Sequence, residues 1–379
     1  MGTSFEHSPR EVNALLFWGL CGTLMLVSVY YFRGKIKMKH IKRRVKNKIF
    51  HDKRCRKLNA SRWKKTRRKT PPASARNDSS RIILRAPKEL SVFDATETSL
   101  GFFESVMNTI KQCKIRSTLY FDLSQVEIIT PDAVMYLIAI INNTKKLRMF
   151  EITCEGNMPK DPNAKLVFQD AGFFKFVYAP YSRKLNDSTK HMKIQNGTDA
   201  DSTLAGAFCE FVHNNCEKDY TDTKRLYPMI VELMTNTHQH AYNPTSHSDG
   251  HLEMYCNWYI FAQDIGDAIH FVFLDTGVGI PRTVARKFHE TVSDFFNANN
   301  DSVYLESALK GDYSRTETRL NYRGKGLPGI YEDCQNGQLC NLKIISCKAK
   351  CIVNADASIT MQGINSYFEG TLFSWDIAK

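Results

Sequence analysis

A chain of 379 residues with 42% hydrophobic side chains is long enough for two domains and apolar enough for substantial cores, which excludes a wholly disordered protein. Its net charge of +13 is unevenly spread. Residues 33–70 carry 19 Lys and Arg against the single acid Asp52, so the body from 71 onward is mildly acidic and the basicity belongs to one segment.

The first predicted element is 12–32, a run of 21 residues without a charge. At helical rise it matches a hydrocarbon layer about 30 Å thick, with Trp18, Tyr30 and Tyr31 as interfacial anchors. It reads as an N-terminal transmembrane helix within residues 1–32. The Lys/Arg excess on its C-terminal side puts the body in the cytoplasm. The polybasic segment then lies against an anionic membrane surface, a reading that competes with sequence-independent contact to nucleic acid through phosphates. Residues 70–80, rich in Pro, Ser and Ala, complete the 33–80 segment as a linker. The chain's eleven cysteines hold no Cys-x-x-Cys pair, and in a cytoplasmic body they read as reduced thiols. Cys334, Cys340, Cys347 and Cys351 depart from the tight spacing of structural zinc sites.

From 81 to 185 strands and helices alternate: strands at 81–85, 117–124 and 149–154, helices at 100–113, 132–142 and 163–171. This argues a small α/β unit. Asp122-Leu-Ser-Gln-Val-Glu-Ile-Ile-Thr-Pro-Asp132, with the later Gly172-Phe-Phe-Lys-Phe-Val177, resembles the STAS domain of anti-sigma-factor antagonists. The resemblance implies a phosphorylatable serine where this chain has Asp132. Helix capping and a fixed negative charge are both open to Asp132.

The region 195–379 holds three ordered motifs. Glu232, Asn236 and His240 fall at i, i+4 and i+8 of an uninterrupted helical stretch, 229–242, and so form one polar ridge. A carboxylate one turn before an amide suits a base near water beside an oxygen ligand for a hard cation. The apolar run at 268–274 ends at Asp275 and passes into Gly277-Val-Gly279. Asp275 could accept from an exocyclic amine while the glycines admit a flat ring. Arg323-Gly324-Lys325-Gly326-Leu327-Pro328-Gly329 would offer backbone N–H groups to phosphates at the start of a helix.

Together these motifs resemble the GHKL-type ATP-binding domain of histidine kinases, gyrase and heat-shock chaperones, and most nearly the anti-sigma-factor serine kinases. The resemblance implies an α/β sandwich with a mixed sheet, binding ATP and Mg²⁺. Glu232 would orient or deprotonate the attacking water or hydroxyl and Asn236 would be the Mg²⁺ ligand, with His240 near the phosphates. Asp275, Gly277 and Gly279 would form the adenine pocket. Gly324, Gly326 and Gly329, with Leu327 between them, would wrap the triphosphate, Lys325 or Arg323 would neutralise its charge, and 282–322 would be the lid. The expected function is a membrane-tethered ATP-binding signalling regulator that hydrolyses ATP or passes the γ-phosphoryl to a protein partner. The alternative is a non-catalytic ATP-dependent switch whose STAS-like domain binds a protein. His213 lacks the surroundings of a phosphoacceptor, which argues against histidine autophosphorylation.

Overall fold

The computed structural model describes residues 81–113, 117–147, 152–177, 190–216, 225–240, 257–289, 301–311 and 326–379. The expected membrane span at 12–32, the basic segment 33–70 and the linker lie outside the described residues. Residues 78–379 form one compact unit.

The small half opens with β1 (Arg81–Arg85) and β2 (Glu89–Leu90), followed by α1 (Thr96–Gln112) and β3 (Thr118–Asp122). It continues through β4 (Ile128–Ile129), α2 (Pro131–Leu147), β5 (Thr153–Gly156) and α3 (Pro162–Asp170). β1, β3 and β5 make a parallel sheet in the order β1-β3-β5, while β2 and β4 pair separately. Pro131 starts α2 where a missing N–H costs nothing. The helix then runs Ala133-Val-Met-Tyr-Leu-Ile-Ala-Ile-Ile141, all essentially inaccessible to solvent. A helix apolar on every side needs apolar neighbours on every side. Its residues share one buried cluster with Leu84, Leu119 and Phe121 of the small sheet and Tyr259, Val272 and Leu274 further along the chain.

Those last residues belong to the larger half. It comprises β6 (His191–Gly197), α4 (Ser202–Asn215), α5 (Leu226–His240), β7 (Trp258–Asp264) and β8 (Ala268–Asp275). α6 (Ile280–His289), α7 (Asp301–Lys310), α8 (Gly326–Gln335), β9 (Cys340–Val353) and β10 (Ile359–Ala378) follow. The five strands form a sheet in the order β6-β7-β8-β10-β9. Alternation assigns its two faces. Ile269, Phe271 and Phe273 of β8 pack with the helices α4, α5, α7 and α8, whereas Val272 and Leu274 pack with the small half. On the helical face Phe271 stacks on its cross-strand partner Trp375, ring centroids 5.2 Å apart. Such a pair adds about 0.5–1.5 kcal/mol beyond its burial.

The expected architecture is corrected in two respects. The sheet is antiparallel at every pairing rather than mixed. β9 runs in the direction of β8, but its hairpin partner β10 inserts between them, so no parallel pair forms. In addition, no helix among the described residues is long and apolar enough to cross a membrane, and the N-terminal transmembrane helix is not part of the described fold.

Candidate functional site

The first motif rides on α5. Ile230, Leu233, Met234 and Thr237 are buried against the sheet, which leaves Glu232 and Asn236 half-buried along the flank of the helix. Arg225, just before α5, pairs with Asp333 of α8 at 2.5 Å and ties the two helices together. As a result the start of α8 lies on the polar ridge. A Cβ added to Gly326 would stand 3.0 Å from a Glu232 carboxylate oxygen and 3.2 Å from the Asn236 side-chain nitrogen. Glycine at 326 permits this close approach, which brings the third motif onto the first. Leu327 is half-buried, and Gly329 is buried one turn into α8.

The second motif closes β8, the middle strand of the sheet. The Gly277 N–H donates to the Asp275 carboxylate at 2.6 Å and bends the chain out of the strand. Burial pushes the Asp275 carboxyl up to about 7, and that hydrogen bond only partly opposes it. Gly279 has φ +88°, and a Cβ there would meet Ser346 and Cys347. Ser346 Oγ accepts from the Ile280 N–H at 3.0 Å and donates to the Gly370 carbonyl at 2.9 Å, so β9 and β10 both fix the turn. Cys347 reaches the Val278 carbonyl at 3.6 Å and receives the Tyr367 hydroxyl at 3.3 Å. Burial drives its thiol up to about 11, which leaves it a packing group.

Strand alternation relates the two groups. Asp275 has the parity of Phe271 and Phe273, so its side chain stands on the helical face of the sheet, the face that α5 and α8 cover. Glu232, Asn236, Gly326 and Asp275 thus occupy one side of one sheet. No protein-family model matches this chain, and no curated protein matches it. The chemistry of the site must be read from its own residues.

Those residues offer a half-buried carboxylate–amide pair in contact with a glycine helix start and, on the same face, a half-buried carboxyl at a glycine turn. Such a carboxyl accepts a hydrogen-bond donor most strongly in its ionised form. Sequence reasoning assigned no role to Thr371, which is buried and directly opposite Asp275 across the strands, or to Ser346, which pins the turn. Thr371 follows Gly370 in the expected last strand, and its alternation with Phe373 and Trp375 was a usable signal for the side it faces.

Arg323, Gly324 and Lys325 lie outside the described residues, and so does the His240 side chain. The expected lid, 282–322, contains the rest of α6 and all of α7, whose Tyr304, Leu305 and Leu309 are buried. Asp301 accepts from the Lys348 N–H at 2.8 Å, so α7 is docked on β9. In the small half, Asp132 lies in the first turn of α2 but is buried, and it accepts the Val92 N–H at 3.1 Å. Burial raises its carboxyl, so it ties two segments together instead of presenting a surface charge.

Proposed function

We propose that residues 195–379 bind Mg-ATP and that the chain is an ATP-binding signalling regulator, hydrolysing the nucleotide or passing its γ-phosphoryl to a protein hydroxyl. The observation that carries this reading is the packing of Gly326 against Glu232 and Asn236 on the face of the sheet where Asp275 stands. Three features suit the ligand. The Asp275 carboxyl is desolvated and would accept the exocyclic amine. Gly279 lets the turn pack directly on Ser346 and Cys347 beside Asp275, and Gly326 brings a helix start with its backbone N–H groups onto the carboxylate–amide pair.

Asn236 would hold Mg²⁺, which when bound neutralises phosphate charge in a loose transition state. Glu232 would take the proton from the attacking water or hydroxyl, one helical turn away from the amide. Arg323, Lys325 and His240 complete the reading as phosphate contacts, on the strength of the motif alone. The same reading has the basic segment 33–70 resting on anionic headgroups, with the body held at the cytoplasmic face of a membrane, on the strength of composition alone.

A second reading is favoured by one observation, the burial of the small half against the sheet that carries the site. In it ATP occupancy changes what the STAS-like half binds, with little turnover. Incubation with γ-labelled ATP and Mg²⁺ separates the two. Free phosphate or labelled protein that disappears in Glu232→Ala, with binding retained, supports the enzyme. Binding without product supports the switch, and no affinity for ATP or its analogues overturns both.

A further inference from the structure

The stretch of β10 from 363 to 371 does not pair regularly with β9; the register slips twice, on either side of Phe368. This bulge sits between two parts of the molecule that never touch each other in sequence. On one side is the small half. The Tyr136 hydroxyl of α2 accepts the Glu369 N–H at 3.1 Å, and the Tyr136 ring stacks on Phe368 with centroids 4.3 Å apart. Phe103 of α1 meets the same tyrosine edge-on at 5.0 Å. Glu97, also on α1, accepts the Asn365 and Ser366 N–H groups at 2.9 and 3.3 Å.

On the other side is the Asp275 turn. Gly370, at φ +103°, approaches the Asp275 carbonyl so closely that any Cβ would collide with it. The Gly370 carbonyl takes the Ser346 hydroxyl, whose oxygen in turn accepts the Ile280 N–H at the start of α6. Thr371 stands across the strands from Asp275 itself. The path from the small half to the turn is therefore a short sequence of hydrogen bonds and ring contacts, with Tyr136, Phe368, Gly370 and Ser346 buried and Glu369 half-buried. A group held that way transmits a shift instead of absorbing it, because close-packed interiors deform little.

We propose that Tyr136 is a positioning residue for Asp275, acting through the Phe368–Glu369–Gly370 bulge, so that docking of the small half and ligand binding at the Asp275 turn are coupled. This rests on the nucleotide reading for the identity of the ligand, but not for the coupling itself. The linkage is reciprocal: a ligand that orders the turn tightens the small half on the sheet, and loosening the small half weakens the ligand.

The test uses the full chain and two readouts. Tyr136→Phe keeps the stack on Phe368 and removes only the hydroxyl. It is expected to lower Mg-ATP affinity about three- to tenfold and to speed amide hydrogen exchange at 276–280 in protein without nucleotide. Asn142→Ala breaks a different contact between small half and sheet, the 3.3 Å bond to the Tyr259 hydroxyl, and is expected to change neither. Ser346→Ala removes the hydroxyl link between the bulge and the turn and leaves the backbone contact of Gly370 with Asp275, so in that background the effect of Tyr136→Phe on exchange should shrink. Unchanged exchange at 276–280 in Tyr136→Phe overturns the coupling, as does an equal effect from Asn142→Ala. If the unaltered chain binds no Mg-ATP while the exchange results hold, the nucleotide reading fails and the coupling stands.

Discussion

Burial drives two carboxyls on either side of Gly370, those of Asp275 and Glu369, up to about 7. Arg282 and Lys111 pull Glu369 back only in part. Both groups hold protons more firmly in the folded chain than in the unfolded one. Their contribution to stability is therefore complete below about pH 4 and is lost as pH rises towards 7. Melting temperature measured from pH 4.5 to 7.5 should fall less steeply in Asp275→Asn and in Glu369→Gln than in the unaltered chain. For the ligand the sign reverses, since the ionised carboxylate is the stronger acceptor. Adenosine, which lacks titrating phosphates, should bind more tightly as pH passes through 7, and Asp275→Ala should abolish that dependence. At Gly326 the effect is steric. Gly326→Ala forces the Glu232 and Asn236 side chains aside, and Mg-ATP affinity should drop about tenfold, equivalent to about 1.4 kcal/mol, by calorimetric titration. The motif residues were visible in the sequence because glycine and paired polar residues at fixed spacing have few other uses. Thr371 and Ser346 were not, since their roles arise from partners 96 and 66 positions away across the sheet.

The bulge in β10 touches both the small half and the Asp275 turn. Phe368 is inaccessible to solvent, and its ring stacks on Tyr136 of helix α2. Phe368→Ala should cost about 3–5 kcal/mol in urea denaturation, as truncation of a buried aromatic does. Gly370→Ala meets a backbone carbonyl, and a side chain at that φ adds strain of about 1–3 kcal/mol, so it should destabilise the chain although it adds one methyl. Helices and strands of the small half lie close to where periodicity put them: β1 at Arg81–Arg85, β3 within 117–124, α3 at Pro162–Asp170. The two-residue strands β2 and β4 gave no periodic signal, being too short to show alternation. Alternation in β8 and β10 is visible in the sequence. Which residue of β10 opposes which of β8 is not, because register comes from the hairpin and its bulges.

At the scale of the molecule, the small and large halves share a core. Tyr259, Phe261, Val272, Leu274, Ile345 and Leu372 face the small half, whose helices α1 and α2 cover them. The contacts around this core are also polar: Lys350 donates to the Phe93 carbonyl at 2.9 Å, and Lys343 pairs with Asp94 at 3.4 Å. Removal of 81–185 should therefore expose an apolar sheet face, and the remaining chain should bind a hydrophobic dye or precipitate instead of folding independently. With Trp18 and Trp63 replaced by Phe, tryptophan fluorescence reports only Trp258 and Trp375 in the sheet and should follow the same urea transition as far-UV circular dichroism, because a shared core unfolds as a unit.

The sequence by itself determined the longer elements of the small half, the three motifs and the order in which they occur, since helical and strand periodicities and glycine spacing act over a few residues. It also held an unread sign of the shared core. The unbroken apolar run 133–141 needs cover on every side, which a helix on one open sheet would not have. Only the tertiary structure decided that β10 inserts between β8 and β9, and that Asp132 is buried. It alone also decided that Gly326 comes to rest on Glu232 and Asn236. Each of these depends on contacts between residues tens to hundreds of positions apart, and such contacts are settled by packing, where local pattern carries no information.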